Sequence, residues 1–479
     1  MKNRTTLSSR FALMIFGRVL ILLVGLLITA ILTRHLGPTG FGSYRTAVAY
    51  LSLAVVFADL GLGSIFVREI SRHGVDQARI IGNALSLRLL LAFVIMLVAV
   101  LLSYLLPFDG SERLGILAGS LGFVAYSLHL LLFGLFQQKL RQQGVILAEV
   151  TGGLVLVTLV VGLSYVDAEP FWFVGSLGFS YILTLIGTVF FAKRLVPYKL
   201  RMEMTQWRVL IRAGLPLAGA GTLGVLYVRG DSVLLALLHS PEAVGLYGVP
   251  IKISDSALGI ALLFIGLFAP LLARSALADT DKFIRLVNDS FGVIFLGGVG
   301  GAVMLNVLAV DIIQLLAGSA FIDGVLILRL LSVFMVLHAG TLMLREATIA
   351  LNMQSKLLAG YMVTLGIALL AYFYLIPPYS GVGAAAALII SELFLLSFVL
   401  KVVANGISQP VSLRVPVLGI ISGVSTVIIF DFIILSEWHW LVRLMVSVTV
   451  YIVMLLASRA LRLSQIKSLV HESIGSIRK

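Results

Sequence analysis

The feature that most constrains this chain is a series of apolar runs, each about 20 residues long. A helix of that length crosses a hydrocarbon core of about 30 Å, and a backbone in lipid must satisfy its polar groups internally. Hydrophobic residues fill 60% of the 479 positions and charged residues only 12%, roughly half the share of a soluble protein. The sequence therefore predicts an all-α integral membrane protein.

Hydropathy predicts about fourteen transmembrane helices. They lie near 11–33, 41–66, 80–106, 114–135, 144–166, 170–192, 208–236, 243–272, 287–312, 325–351, 357–377, 381–402, 415–435 and 440–458. The first run is too long for the apolar core of a signal peptide and contains Arg18, so we expect it to be retained.

Basic residues collect in alternate connections between the runs, whereas the other connections carry mostly acidic residues. This bias is typical of the positive-inside rule and predicts that both termini are cytoplasmic. The same distribution argues against nucleic acid as the partner of a chain with a net charge of +13. The connection at 193–207 is basic and contains Trp207. It is expected either to lie on the anionic inner leaflet or to be a solvated loop.

A seven-residue pattern, Pro-x-x-apolar-Gly-x-Tyr, occurs at 38–44 and again at 241–247. Self-similarity at this distance predicts a duplicated helical bundle, and secondary transporters place their substrate site where such repeats face one another. We therefore predict two six-helix lobes at 1–192 and 208–405 that face a central cavity. A linker at 193–207 joins them, and helices 13 and 14 with a cytoplasmic tail occupy 406–479.

The sequence gives little support for an enzyme. The chain has no cysteine, its histidines are scattered without metal-ligand spacing, and it lacks a Gly-x-x-x-x-Gly-Lys-Ser/Thr loop for ATP phosphates. No connection on the predicted outer side is long enough to form a catalytic domain. We expect no enzymatic activity, no metal and no bound cofactor, with a proton or sodium gradient as the only candidate energy source.

Four basic residues lie inside or near the ends of predicted helices in the first pair of each repeat: Arg18, Arg45, Arg229 and Lys252. A charge within the bilayer is costly and is a functional candidate by default. If the repeats face each other through these helices, the four cations line one cavity. Guanidinium groups bind phosphate in a bidentate manner, so the pattern predicts a substrate site for a diphosphate headgroup.

The acidic residues within the predicted spans have two interpretations. Either they neutralise neighbouring arginines as ion pairs, or they titrate as a coupling site for protons or sodium. These acidic residues are Asp59, Glu149, Asp231, Asp255 and Glu392. Arg88 is the arginine expected to lie at the same depth as Asp59 and Glu149. Small residues mark other features: Gly214, Gly219, Gly221 and Gly224, together with Pro216, predict a seventh helix that either bends or holds a static kink, and the Gly- and Ala-rich stretch at 381–387 predicts close helix packing.

Four segments, 33–44, 58–63, 240–247 and 381–385, resemble those of the polysaccharide-biosynthesis (Wzx-type) flippases of the multidrug/oligosaccharidyl-lipid/polysaccharide (MOP) exporter superfamily. The resemblance runs over the whole chain. It implies two lobes forming a V, an appended helix pair, and transport of undecaprenyl-diphosphate-linked oligosaccharide from the inner to the outer leaflet of the bacterial cytoplasmic membrane by alternating access. It also implies that membrane lipid and the polysaccharide polymerase machinery are partners.

Two other functions are alternatives to a flippase. A multidrug/cation antiporter of the same superfamily would need an acidic cavity, whereas the predicted cavity helices carry more basic than acidic residues. A non-transporting scaffold for glycan assembly would be expected to carry long soluble tails, which the chain lacks.

Overall fold

The computed structural model describes residues 7–72, 74–139, 141–432, 439–458 and 460. The side chains of 7–15, 215–221, 277–278 and 431–432 lie outside this description. The sequence therefore remains the only basis for the predicted bend at Pro216, Gly219 and Gly221 and for the basic tail.

All regular structure in the described ranges is helical. The α-helices are α1 (Leu7–Asp59), α2 (Leu62–Ile70), α3 (Gln77–Ser103), α4 (Gly110–Gln138), α5 (Gln143–Tyr165), α6 (Pro170–Leu195), α7 (Met204–Leu238), α8 (Pro241–Ala278), α9 (Thr280–Val307), α10 (Ala309–Ala317), α11 (Gly324–Ala350), α12 (Gln354–Ile407), α13 (Arg414–Phe432) and α14 (Trp440–Ala457). A 3-10 turn at Ser319–Phe321 follows α10.

Ten helices within the described residues are long and apolar enough to cross a membrane. Two of them, α1 and α12, contain 53 and 54 residues, and each includes one residue with non-helical backbone angles. The break is at Gly37 in α1 (φ 63°) and at Ser380 in α12 (φ 50°). Each long helix therefore holds two of the predicted spans, although the total of fourteen stays a prediction.

The break in α12 brings its two halves into close contact. A Cβ on Gly383 would lie 2.0 Å from the carbonyl oxygen of Leu375, so only a glycine allows this approach. Ala384, Ala385 and Ala387 are fully buried beside it. This is the close packing that the Gly- and Ala-rich stretch predicts.

The chain divides into a first unit, Met1–Gly248, and a second unit, Val249–Lys479. In the first unit, α4 and α6 pack backbone to backbone, since a Cβ on Gly122 would lie 2.0 Å from the Cα of Gly178. Small residues allow such close approach where lipid supplies no hydrophobic drive for association. The predicted division at 192, 207 and 405 stays a prediction.

The two copies of the duplicated motif contact each other within the first unit. A Cβ on Gly42 would lie 1.7 Å from the carbonyl oxygen of Pro241, and a Cβ on Gly245 would lie 2.0 Å from that of Pro38. The glycine of each copy thus packs on the first residue of the other. We call this reciprocal contact the glycine clasp.

The segment from Val196 to Glu203 docks on the N-terminal part of α3. Glu203 accepts hydrogen bonds from Arg79, and its backbone N–H donates to Asn83 Oδ1 at 2.8 Å. Tyr198 and Trp207 are buried in an apolar cluster with side chains of α2, α3 and α4. Burial raises the pKa of Tyr198 to about 12. Trp207 therefore packs inside the protein, and the position of the basic connection on the inner leaflet stays a prediction.

Acidification is expected to loosen this segment. The hydrogen bond from Arg79 holds the pKa of Glu203 below its ordinary value of 4.5, so its stabilising effect is present above that pH and is lost as the pH falls through the lowered pKa. Hydrogen-exchange protection of the Arg201 and Glu203 amides should decline below about pH 4.5, after correction for intrinsic rates. Glu203→Gln should remove this pH dependence, and Glu69→Gln should retain it. An unchanged profile in Glu203→Gln would contradict the assignment.

In the second unit, α13 and α14 pack on α9. Tyr451 donates a hydrogen bond to the carbonyl oxygen of Leu296 at 2.9 Å. Its ring lies 3.0 Å from the position that a Cβ on Gly300 would occupy, and a Cβ on Gly423 would lie 2.5 Å from Val299. At the start of α14, Arg443 pairs with Asp311 of α10. The final helix pair is therefore fixed to its own unit by both apolar and polar contacts.

Candidate functional site

The predicted cation Arg18 belongs to a polar network in the first unit. Its Nη1 donates to Glu149 Oε2 at 2.8 Å, so α1 and α5 are joined by an ion pair. The other carboxylate oxygen, Glu149 Oε1, lies 3.2 Å from His129 Nε2 of α4. His129 Nδ1 lies 2.9 Å from the Thr188 hydroxyl of α6, and that hydroxyl donates to the backbone of α6. Four helices thus contribute to one hydrogen-bonded chain.

Aromatic side chains surround this network. Tyr126 of α4 stacks on Tyr181 of α6 with ring centroids 4.5 Å apart, and it also stacks on His129 at 6.3 Å. The guanidinium of Arg18 lies 5.1 Å from the centroid of the Phe133 ring. A cation in this position is attracted by the face of the ring, which stabilises Arg18 away from bulk water.

Arg229 of α7 lies in the same region. Arg18, Glu149 and Arg229 are all close enough to Tyr126 to act electrostatically on its hydroxyl. We name Arg18, Tyr126, His129, Glu149 and Arg229 the Tyr126 cluster. It brings together two of the four predicted cations and one of the predicted carboxylates.

Asp231 lies two residues beyond Arg229 and is fully buried. Its carboxylate accepts hydrogen bonds from the Tyr247 hydroxyl and from the backbone N–H of Ser232. Arg229 lies close enough to act on it electrostatically. Tyr247 is the last residue of the second motif copy. This tyrosine therefore has a physical role in the second copy, because it ties the start of α8 to α7.

Arg45 follows the first motif copy and lies against the second. Its Cγ and Nε come within 3.0 and 3.2 Å of where a Cβ on Gly248 would be. It also lies close enough to Tyr44 to act electrostatically on its hydroxyl. Arg45 thus packs where the two motif copies meet.

The positive charge in the first unit is smaller than the sequence suggests. Arg18, Arg45 and Arg229 carry three formal charges, and Glu149 and Asp231 offset two of them, which leaves this set at a formal +1. Arg18 keeps 31% of its side chain exposed, so part of its guanidinium remains accessible. A single phosphate that binds here would exchange one carboxylate partner of Arg18 for another anion.

Asp59 and Arg88 are placed in a separate contact. Arg88 is 1% exposed, and its Nη1 donates to Asp59 Oδ1 at 2.6 Å and to the carbonyl oxygen of Ala58 at 2.9 Å. Asp59 also accepts a bond from the backbone N–H of Gly63 at 3.3 Å, at the start of α2. The pair therefore spans the break between α1 and α2, where Leu60 and Gly61 have positive φ.

The remaining predicted residues belong to the second unit. Lys252 and Asp255 are three positions apart on α8, on neighbouring parts of one helix face, and both are half-buried. Glu392 of α12 is fully buried and lies 2.9 Å from His338 of α11. The assignment of Lys252 to the substrate site stays a sequence-based prediction.

Tyr126, His129, Tyr181 and His338 are not among the functional residues predicted from the sequence. A signal for the α4 residues was present, because Tyr126, His129 and Phe133 follow the i, i+3, i+7 spacing of one helix face. Lone histidines at helical spacing are usually ordinary core residues, so His129 and His338 were not predicted to be functional. Within the described residues, no group of three or more histidine, aspartate or glutamate side chains could hold a metal ion.

Comparisons with known structures show the fold. Over 93% of this chain and 97% of the other, the chain is similar to the lipid II flippase MurJ in an inward closed conformation, with a TM-score of 0.73 and 13% identity. It is similar to a multidrug resistance MATE transporter in an inward-facing conformation over 85% and 96% (TM-score 0.54, 14% identity). A MOP superfamily transporter from Pyrococcus furiosus matches over 85% and 98% (TM-score 0.58, 15% identity).

These TM-scores establish a shared MOP-type fold, which confirms the predicted all-α membrane architecture. No curated protein sequence matches the chain. The sequence model of a family described as polysaccharide biosynthesis protein matches residues 9–276, which is more than half of the 479 positions and includes the whole Tyr126 cluster. The chain is a multi-pass membrane protein that belongs to the polysaccharide biosynthesis protein family.

Proposed function

We propose that the protein is a flippase that moves undecaprenyl-diphosphate-linked oligosaccharide from the inner to the outer leaflet of a bacterial cytoplasmic membrane. The observation that carries this proposal is the convergence of Arg18 and Arg229 on Tyr126 in the interior of the first unit. Guanidinium groups bind phosphate oxygens through several donors at once, and burial strengthens such bonds. The family match supports a lipid-linked glycan as the substrate class.

In this proposal the diphosphate competes with Glu149 for Arg18. The carboxylate holds the guanidinium in place while the site is empty, and His129 can then hold the carboxylate after the exchange. Tyr126 and Tyr181 offer aromatic faces of the kind on which sugar rings stack. Alternating access would carry the polar head past these residues while the lipid tail stays in the bilayer.

We also propose an orientation in the membrane and a partner for the protein. The distribution of basic residues supports cytoplasmic termini, and a flippase of this class would deliver its product to the polysaccharide polymerase machinery on the outer face. We propose no catalytic role for any residue, because binding and release of an intact lipid-linked glycan require no bond to form or break.

A multidrug/cation antiporter is the second candidate, and one observation favours it. Glu149 lies close enough to Tyr126 to act electrostatically on its hydroxyl, and it contacts His129, which stacks on Tyr126; a carboxylate next to aromatic faces suits an organic cation. In that case Glu149, and not Arg18, would contact the substrate.

Flipping of a fluorescent lipid-diphosphate oligosaccharide in proteoliposomes tests the proposal. Arg18→Ala and Arg229→Ala should each slow flipping by about tenfold or more, because a bond to a charged partner contributes about 1.5–3 kcal/mol. Arg72→Ala is the matched control, since this arginine is 60% exposed and pairs only with Glu69 among the described ion pairs. It should leave the rate within about twofold.

Two outcomes would overturn the assignment. Wild-type flipping rates in both cluster variants would remove the phosphate site from the Tyr126 cluster. Transport of a fluorescent organic cation by the wild type, lost in Glu149→Gln and kept in Arg18→Ala, would favour the antiporter. Equal thermal unfolding midpoints of the variants in detergent establish that any loss of rate is not a loss of fold.

A further inference from the structure

The second unit contains a buried acid that the proposed substrate site does not use. Glu392 is 0% exposed, and its Oε2 lies 2.9 Å from His338 Nδ1. Its other oxygen, Oε1, has no hydrogen-bond partner in the described part of the chain. The imidazole of His338 stacks on Phe334 with ring centroids 5.1 Å apart, which fixes the plane of the ring against the carboxyl group.

Both residues lie deep within long apolar helices. Glu392 is about 16 Å along α12 from Gly381, and His338 is about 21 Å along α11 from Gly324, at 1.5 Å per residue. The half-thickness of a hydrocarbon core is about 15 Å, so the pair lies near its middle. Within four positions of either residue along its own helix there is no other ionisable side chain.

The helices that contact α11 include α8, through a hydrogen bond from Ser254 to the carbonyl oxygen of Leu331, as well as α9, α10 and α12. The ionisable residues of these helices in the second unit, with those of α11 itself, are Lys252, Asp255, Arg274, Asp281, Lys282, Arg285, Asp289, Asp311, Arg329, Arg345, Glu346, Lys356, Tyr361, Tyr372, Tyr374, Tyr379 and Lys401. Asp311 pairs with Arg443, Arg345 pairs with Glu346, and Tyr372 is fully buried. Among the ion pairs of the described residues, Glu392 pairs with His338 and with no arginine or lysine.

This arrangement is neutral only when it holds one proton. With one proton the pair is either a carboxylic acid beside a neutral imidazole or a carboxylate beside an imidazolium, and both forms have no net charge. Loss of that proton leaves a carboxylate with one unpaired oxygen in a medium where an isolated charge costs several kcal/mol. A buried acid kept in such a position is therefore poised to take up a proton whenever it becomes accessible.

We propose that Glu392 and His338 form a proton-binding site in the second unit, at which one proton is bound and released during the transport cycle. The proton moves between water and the pair, with no other bond made or broken. His338 is 12% exposed whereas Glu392 is fully buried, so the imidazole is the member of the pair that reaches the molecular surface and can relay the proton. The inference deepens the proposed flippase function, because it names the ion whose gradient drives it.

Infrared difference spectroscopy of the reconstituted full-length protein tests proton binding without any transport assay. Wild type titrated between about pH 5 and pH 9 should show the C=O stretch of a carboxylic acid that appears on protonation. Glu392→Gln should lack this band, and His338→Gln should shift its midpoint by about one pH unit or more. Glu346→Gln is the matched control on α11 and should keep the wild-type band.

Flipping assays supply the second arm. An imposed proton gradient should change the wild-type flipping rate about tenfold, the effect of a gradient of about one pH unit on one coupled proton. Glu392→Gln should lose that response, and the control Glu346→Gln should keep it. A sodium gradient in place of the proton gradient should have no effect.

The two arms separate this inference from the flippase proposal. A titrating band that Glu392→Gln removes establishes the proton site even if no lipid-diphosphate oligosaccharide is flipped. An unchanged band in Glu392→Gln, or a wild type in which neither a carboxylic acid band nor an imidazolium band of a histidine titrates, would reduce the pair to a fixed structural contact. A wild-type gradient response in Glu392→Gln would show that the proton bound there does not drive transport.

Discussion

Gly42→Ala and Gly245→Ala are each expected to open the glycine clasp and to lower the thermal unfolding midpoint markedly. The new Cβ would lie 1.7 Å from the carbonyl oxygen of Pro241 in the first case and 2.0 Å from that of Pro38 in the second. Backbone atoms cannot turn aside as a flexible side chain can, so the two motif copies must separate. We expect a cost at or above the upper end of the usual overpacking range, about 3 kcal/mol.

Unfolding in detergent and hydrogen exchange of 38–45 and 241–248 measure the effect. Gly162→Ala is the matched control, because a Cβ there meets nothing within 4 Å, and alanine is the better helix former. The double variant should cost less than the sum of the single variants, since one separation relieves both clashes. Wild-type unfolding and exchange in Gly42→Ala would mean that the clasp does not hold the two motif copies together.

The sequence predicts that the motif is duplicated, but it does not predict that the copies touch. Spacing reveals that two segments are alike, whereas the contact depends on how α1 and α8 meet. The break at Gly37 also merges two predicted spans into one long helix. Hydropathy detects these apolar runs reliably because each must match the bilayer, and it carries no information about the angle between them.

The candidate site was partly predictable for a similar reason. A charge in an apolar run is conspicuous, so Arg18, Arg88, Asp59 and Glu149 could all be identified from the sequence. Their partners could not, because Arg18 and Glu149 are separated by 131 positions and meet only in the folded bundle. Tyr126 and Tyr181 were not predicted as site residues because tyrosines at helical spacing are common in membrane helices.

Replacing either partner of the Asp59–Arg88 ion pair should lower the free energy of unfolding, and the two single variants should differ in the size of the loss. Asp59→Ala leaves the guanidinium of Arg88, which is 1% exposed, without its counter-charge. Removing one partner of a buried pair costs about 3–5 kcal/mol, and we expect the lower end because Asp59 itself is 38% exposed. Arg88→Met should cost less, since the carboxylate it leaves behind reaches water and still caps α2 through Gly63.

The double variant Asp59→Ala with Arg88→Met should be more stable than Asp59→Ala alone, because methionine removes the uncompensated charge while filling most of the buried volume. Thermal unfolding of the four proteins in detergent gives the comparison as a double-mutant cycle. If the double variant proved no more stable than Asp59→Ala alone, the cost would lie in the lost cap of α2 and not in the buried guanidinium. The order of the single variants then decides between helix capping and charge burial as the reason that the break between α1 and α2 holds its shape.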